Sequence, residues 1–265
     1  MPLILLKDVM IQRREASFTT ISKGLRYSSR RARSQARREG VRLVLLWFGL
    51  WKNGMSTYIP AWMKEDRQRY FLMRDRTGRA VEAVSPLCGE AVTRDAAAFV
   101  SLLTHLREVD EERTVVMVQV ENEMGLLGDV RDFSPQSSEA YAQPVPPAVA
   151  ERYNVVGTWQ EAFGDDGPER FMVYHYAMAV ERVAAAGKAE YPLPLYVNAW
   201  LDQYPWTPGT YPSGGPIAKV MDQWKPWHLP STCSLRTFTC QTLKRSAGNM
   251  SSRGILCSFQ RLGPA

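Results

Sequence analysis

Apolar and polar positions along the chain switch between a helical and an extended register, and three times a helix hands over directly to a strand. Residues 27–39 are strongly polar at helix-compatible spacing, and Gly40 stops them; Val41 to Gly49 then runs apolar as a buried strand. Phe99, Leu102, Leu103, Leu106 and Val109 fall on one helical face, predicting an amphipathic helix over 94–109. It leads through Asp110-Glu111-Glu112-Arg113 into a second strand, Thr114 to Val120. Asp165-Asp166-Gly167-Pro168 reads as a helix start with Pro in the first turn. That helix runs to about Ala186, Gly187 stops it, and a third strand follows over Leu193 to Trp200. Continuous apolar strands alternating with helices predict an α/β fold with a parallel sheet buried on both faces.

Between these units the pattern loosens. Leu50 to Trp62 contains Gly, Pro, Asn and Ser and excludes a long regular element. Thr77-Gly78 marks a turn, with a strand-like segment reaching Pro86. Gly125 to Ala148 reads as irregular, Gln143 to Pro147 as stiff and extended, and Ala148 to Tyr153 as a short helix. Residues 1–26 show no period beyond the short apolar run Leu3 to Leu6, and residues 228–265 show none at all. Three strands are legible in all.

Charge sharpens that division. Residues 1–40 hold ten Lys and Arg against three acids, and residues 226–265 hold five against none. The stretch 41–225 holds eighteen basic against twenty-four acidic residues, so the basic character belongs to the ends. A basic end suits a nucleic-acid or membrane arm, but these lack the aromatic interleaving or amphipathic regularity of either, and neither partner is expected. Cys88, Cys233, Cys240 and Cys257 make no CxxC pair and no metal spacing. The apolar run at the start is too short for a signal peptide, no segment is long enough to span a bilayer, and the cytoplasm is the default location.

The candidate chemistry lies where the second strand ends, on Gln119-Val120-Glu121-Asn122-Glu123. An apolar strand that delivers acids at its C-terminal end is what a barrel active site looks like in sequence. A period of two places Gln119, Glu121 and Glu123 on one face, pointing inward, and Val116, Val118 and Val120 on the other, against the helices. The plain alternative for the two glutamates is a solvated strand end. Trp51 and Asn53, in the loop after the first strand, are candidate substrate contacts; the alternative is that the aromatics of this loop bury against the barrel rim. Asn198 and Trp200 close the third strand in the same way. His175, within a helix and without a second ligand at metal spacing, reads as structural.

Gln119-Val120-Glu121-Asn122-Glu123-Met124-Gly125 resembles the QxENExG signature of family 35 glycoside hydrolases, the β-galactosidase family, and more broadly the Asn-Glu strand end of clan A retaining glycosidases. Leu46 to Ser56, Leu106 to Asp110 and Leu195 to Trp200 resemble further blocks of the same family, in the same order, so the likeness covers about residues 36–227. It implies a (β/α)8 barrel that hydrolyses O-glycosyl bonds with retention, acting on a β-galactoside or related carbohydrate, with no cofactor and no metal. It makes Glu123 the general acid/base and gives Asn122 a hydrogen bond to the sugar 2-hydroxyl. Such an enzyme needs one carboxyl to protonate the leaving oxygen and a second about 5 Å away to attack C1. The acid is held protonated by partial burial and by a neighbouring carboxylate, a field to which Glu121 is placed to contribute.

Against the eight strands that this resemblance implies only three are legible, so the expectation is a partial (β/α)8 TIM barrel over 36–227, with a non-matching basic segment over 1–35 and a non-matching tail without regular structure over 228–265. The resemblance puts the nucleophile, a Glu, at the end of an apolar strand well after Asn198-Ala199-Trp200, yet residues 228–265 contain no Glu and no such strand. The expectation is half of a catalytic pair, with impaired turnover. A non-catalytic carbohydrate-binding remnant using Trp51, Asn53, Asn198 and Trp200 is the alternative, and a nucleic-acid-binding protein driven by the arginine-rich start is the third reading.

Overall fold

The computed structural model describes residues 3–9, 33–53, 56–57, 59–200 and 205–224, with 3–9, 52–53 and 56–57 as backbone alone. The tail expected over 228–265 lies outside them. Its centre is a sheet of four described strands in the order β1 (Leu3–Val9), β2 (Arg42–Trp47), β7 (Val115–Val120), β8 (Leu195–Tyr196), each pair parallel. A short helical segment over 33–38, α1, precedes β2. Helix α3 (Gly89–Val109) connects β2 to β7, and α7 (Gly167–Glu190) leads to β8. Strands, crossover helices and a small parallel sheet make a partial, barrel-like α/β arrangement.

The sheet is wet on neither side at its centre. In β2 every residue from Leu43 to Trp47 is buried, which is why the run reads as continuous rather than alternating. The strand β1 was not legible, because residues 1–26 carry too short an apolar run to show a period; Ile4 pairs with Leu43 and Leu6 with Leu45. The third strand is shorter than its sequence suggests: only Leu195 and Tyr196 pair, with Val118 and Gln119, and Pro192 and Pro194 have no N–H to give the ladder.

In β7 the period of two fails at one place. Leu43 faces Val115 and Val44 faces Met117, so Val116 is an inserted residue in the register. The core side therefore carries Val115, Val118 and Val120, all without exposure, and Val116 is half-buried rather than their companion.

Helices α3 and α7 lie against each other and cover the sheet. Phe99, Leu102, Leu103 and Leu106 of α3 have no exposure, and each such side chain contributes about 1.5–3 kcal/mol by its burial. The helix starts at Gly89, five residues before the predicted start, because Ala91 and Val92 extend the same buried face. Helix α7 continues through Gly187, which the sequence marks as a stop. Phe99 packs where a Cβ at 187 would stand, 2.4 Å from it, so the glycine admits a neighbouring helix rather than ending its own.

Both excursions from the C-terminal ends of strands are built, not irregular. After β2 come the hairpins β3 (Trp51–Asn53) with β4 (Ser56–Thr57), and β5 (Leu72–Arg74) with β6 (Ala80–Val84); helix α2 (Ala61–Glu65) lies between them. Asp75 closes the second turn by accepting from Thr77 and Arg79, with Gly78 left-handed. After β7 come α4 (Pro135–Tyr141), α5 (Pro147–Tyr153) and α6 (Trp159–Phe163). The predicted loop over 125–148 thus contains a helix, started by Ser134, whose hydroxyl accepts from Ser137. Helix α6 has a capping box in which Thr158 and Glu161 bond each other's backbone, and the Thr-x-x-Glu signature was there to be read.

Candidate functional site

Because β2, β7 and β8 are parallel and in register, they end at one level: Trp47 opposite Val120, and Gln119 opposite Tyr196. The residues just past these ends are therefore brought together, at the end where ligands bind in sheets of this kind. Beyond Val120 the chain does not continue as a strand. Glu121 and Glu123 both have left-handed backbone, at φ 60° and 46°, so the period of two cannot be extended to them. The expectation that Gln119, Glu121 and Glu123 share one inward face is overturned on this point.

What replaces it is a compact turn whose bonds hold it from three sides. Asn122 N–H donates to the Trp51 carbonyl (3.3 Å), tying the turn to the start of β3, four residues past β2. Glu123 N–H donates to Asn198 Oδ1 (2.9 Å), tying it to the end of β8. From below, Gln119 Nε2 donates to the Glu121 carbonyl (2.9 Å) and to Asn122 Oδ1 (2.8 Å). Gln119 was not among the candidate site residues; its place on the polar face of β7, two residues before Glu121, was the available signal.

Glu121 is neither a solvated strand end nor an inward-facing partner of Glu123. It has no exposure, and its carboxylate accepts from three successive backbone amides: Gly49 (3.1 Å), Leu50 (3.0 Å) and Trp51 (2.9 Å). The Asp95 carboxyl of α3 lies against the same Gly49, within 2.0–2.6 Å of where a Cβ would stand, so the two acids meet at this glycine. Burial first, then the charge of Asp95, raises the Glu121 carboxyl well above the usual carboxylate range, and burial raises Asp95 too, so the two carboxyls titrate as one pair that keeps a proton.

The other candidates separate. Trp51, expected at a cleft, is 1 % exposed; its indole donates to the Val84 carbonyl (3.0 Å) and meets Tyr176 edge-on at 5.1 Å. Large aromatic area favours burial where a partner for the indole N–H is at hand, so Trp51 gives the site its backbone only. The side chain of Asn53 lies outside the described residues. Asn198 reaches the turn, but through the Glu123 amide. Trp200 is half-buried and its backbone N–H donates to Pro216 (2.9 Å), while its Nε1 has no hydrogen-bond partner among the described residues. His175 rests on Phe171 at 4.5 Å, and burial lowers its pKa to about 4, which fits a structural histidine.

Loop 205–217 forms the far wall. Leu126 and Ser213 exchange backbone bonds at 2.8 Å, and Gly215 packs where a Cβ would lie 2.3 Å from the Met124 carbonyl. Trp206 in this loop is 57 % exposed and has φ 64°, an uncommon conformation for a bulky residue. Nothing in the sequence singles it out from the other tryptophans. Among the described residues, no three His, Cys, Asp or Glu side chains are grouped to hold a metal ion, and no helix is long and apolar enough to cross a membrane.

No family model and no curated protein matches the chain. Among solved structures it is similar to a β-galactosidase from Bacillus circulans sp. alkalophilus, with 16% identity over 74% of this chain and 32% of that one, at a TM-score of 0.49. A polyextremophilic β-galactosidase from the Antarctic haloarchaeon Halorubrum lacusprofundi aligns with 14% identity over 68% of this chain and 30% of that one, at 0.43. The catalytic domain of a β-amylase from Paenibacillus polymyxa aligns with 12% identity over 81% and 64%, at 0.46. The chain spans about a third of the length of the two β-galactosidases.

Proposed function

We propose that the chain is part of a glycoside-hydrolase barrel of the β-galactosidase type, with Glu123 as general acid/base and Asn122 as a hydrogen-bonding partner of the sugar. The observation that carries this reading is the Asn122–Glu123 turn itself. It stands at the C-terminal end of a central parallel strand, with Glu123 partly open to solvent and its backbone fixed to the neighbouring strand end by Asn198. A carboxyl in that setting can give a proton to a glycosidic oxygen and take one from water.

Retaining hydrolysis also needs a nucleophilic carboxylate about 5 Å from the acid. Residues 228–265, where the resemblance in sequence would place it, contain no Asp or Glu. The proposed chain therefore supplies the acid/base half of the pair, and its turnover is expected to be weak. The test is hydrolysis of an aryl β-galactoside at high protein concentration, together with galactose titration followed by tryptophan fluorescence. Turnover lost in Glu123→Gln supports the full reading. Saturable quenching without turnover supports a carbohydrate-binding role, which the exposed Trp206 favours. Neither turnover nor quenching sinks both.

A further inference from the structure

Glu121 and Asp95 meet at Gly49, and among the described residues no cation neutralises them. The charged and titratable groups around them are each other, from β7 and α3, and Tyr176 from α7, with Asp132 beyond the tyrosine. Among the described residues the only other polar group on Asp95 is the Trp47 indole N–H, which donates to Oδ1 at 2.9 Å. Asp95 Oδ2 is buried and has no donor pointing at it. An ionised carboxylate only accepts, so a hydrogen bond between two carboxyls requires a proton on one of them. We infer that Asp95 and Glu121 share one proton, resident on Asp95 Oδ2, and that this pair positions the Asn122–Glu123 turn by gripping the Gly49–Trp51 backbone.

The geometry assigns the proton. Three amide N–H groups converge on Glu121 and stabilise its anion. Asp95 has one donor, on the other oxygen, so a proton on Oδ2 turns an orphaned acceptor into a donor toward Glu121. Gly49 belongs to the same device. A Cβ there would lie 2.0 Å from Asp95 Oδ1, so only glycine lets α3 bring its acid this close to the backbone that Glu121 holds. The chain of bonds then runs from Asp95 to Glu121, to the amides of 49–51, and from the Trp51 carbonyl back to the Asn122 N–H. It closes a ring around two left-handed residues that would not persist without such support. Glu121 and Asp95 are positioning residues for Glu123; that purpose rests on the function proposed above, whereas the shared proton does not.

The sign of the pH effect follows. The folded pair holds a proton that the unfolded chain releases in the ordinary carboxylate range near 4. Its contribution to stability is fully present below that range and is lost as pH rises through the raised folded value. In Asp95→Asn the amide Nδ2 donates to Glu121 permanently while Oδ1 still accepts from Trp47. Folding of the full-length variant then takes up one proton fewer. Urea unfolding of both proteins between pH 5 and 8 should show the unfolding equilibrium constant of the wild type rising, relative to that of Asp95→Asn, by up to tenfold per pH unit. Identical pH slopes overturn the shared proton.

Infrared spectra at neutral pH should show a protonated carboxyl band that shifts on isotopic labelling of aspartate and is absent in Asp95→Asn. A band that shifts with labelled glutamate instead overturns its assignment to Asp95. The positioning role is read by hydrogen exchange at the Glu123 amide, which should quicken by roughly tenfold or more in Glu121→Gln, whose NH2 group confronts the amides that one of the two oxygens now receives. Unchanged exchange overturns it. Should Glu121→Gln fail to fold, the same comparison is made in Gly49→Ala, which displaces Asp95. A wild type that binds no galactose but keeps the proton signature and the exchange pattern removes the proposed function and leaves the pair standing.

Discussion

Substitution of Gly187 by alanine sets helix propensity against packing, and the two give opposite signs. Gly187 lies inside α7, where alanine would be favoured by about 0.8–1.0 kcal/mol on propensity alone. Its Cβ, however, would stand 2.4 Å from Cδ1 and Cε1 of Phe99 and 3.3 Å from Cγ of Leu103. Carbon atoms settle near 3.5–4.0 Å, so α3 and α7 must part by about an ångström or the ring must leave its place. The ring has little freedom: it has no exposure and packs on Trp47 at 5.5 Å, and Trp47 in turn holds Asp95. Overpacking of this kind costs about 1–3 kcal/mol, and occasionally more. The expected net effect is a loss of up to about 2 kcal/mol, with a fall in Tm of about 2–4 °C per kcal/mol for a chain of this size.

Urea titration followed by tryptophan fluorescence reads the change as a shift in midpoint at constant slope. The decisive comparison is a double-mutant cycle with Phe99→Leu, which removes the ring atoms nearest the new methyl. In that background Gly187→Ala should turn neutral or stabilising, giving a coupling of at least 1 kcal/mol. A single Gly187→Ala variant more stable than wild type by about 1 kcal/mol, with no coupling to residue 99, would refute the packing argument and return Gly187 to the role of a weak point in the helix.

Two further outcomes are expected. Thr158→Ala removes the hydroxyl of the capping box at α6 and should destabilise by about 1 kcal/mol, since α6 carries the buried Trp159; a loss below 0.3 kcal/mol on the urea midpoint, roughly the size of an ordinary surface change, would deny the cap its role. His175 is held neutral by burial, with its pKa lowered from about 6.5 to about 4, so the unfolded chain binds a proton that the folded chain refuses. Stability should therefore be full above pH 6.5 and fall by about 1–2 kcal/mol toward pH 5; His175→Gln should flatten that limb, and an unchanged slope in the variant would show that the imidazole titrates freely.

The glutamates show where sequence periodicity stops being a guide. The alternation that reads β7 correctly at Val118 and Val120 fails at Val116, where an extra residue enters the register, and again at Glu121 and Glu123, where the backbone turns left-handed. A pattern in one strand has no information about its partner's register, and the left-handed turn persists only through bonds from residues 49–51 and 198. For the same reason Trp51 could be read as a substrate contact: its aromatic character is visible in the sequence, but the Val84 carbonyl and Tyr176 that receive it are distant in the chain.

The sequence by itself determined the α/β class, the strands β2 and β7, the buried face of α3, and the place of Asn122 and Glu123 just past a strand end. These depend on local composition and on apolar spacing, which a chain carries whatever it packs against. Only the tertiary structure decided that Gly187 continues a helix, that Leu3–Val9 joins the sheet, that Glu121 is buried beneath the turn, and that Asn198 holds Glu123 in place. Each of these rests on a contact between residues far apart in the chain, and such contacts leave no period in the sequence because their geometry is set by the partner.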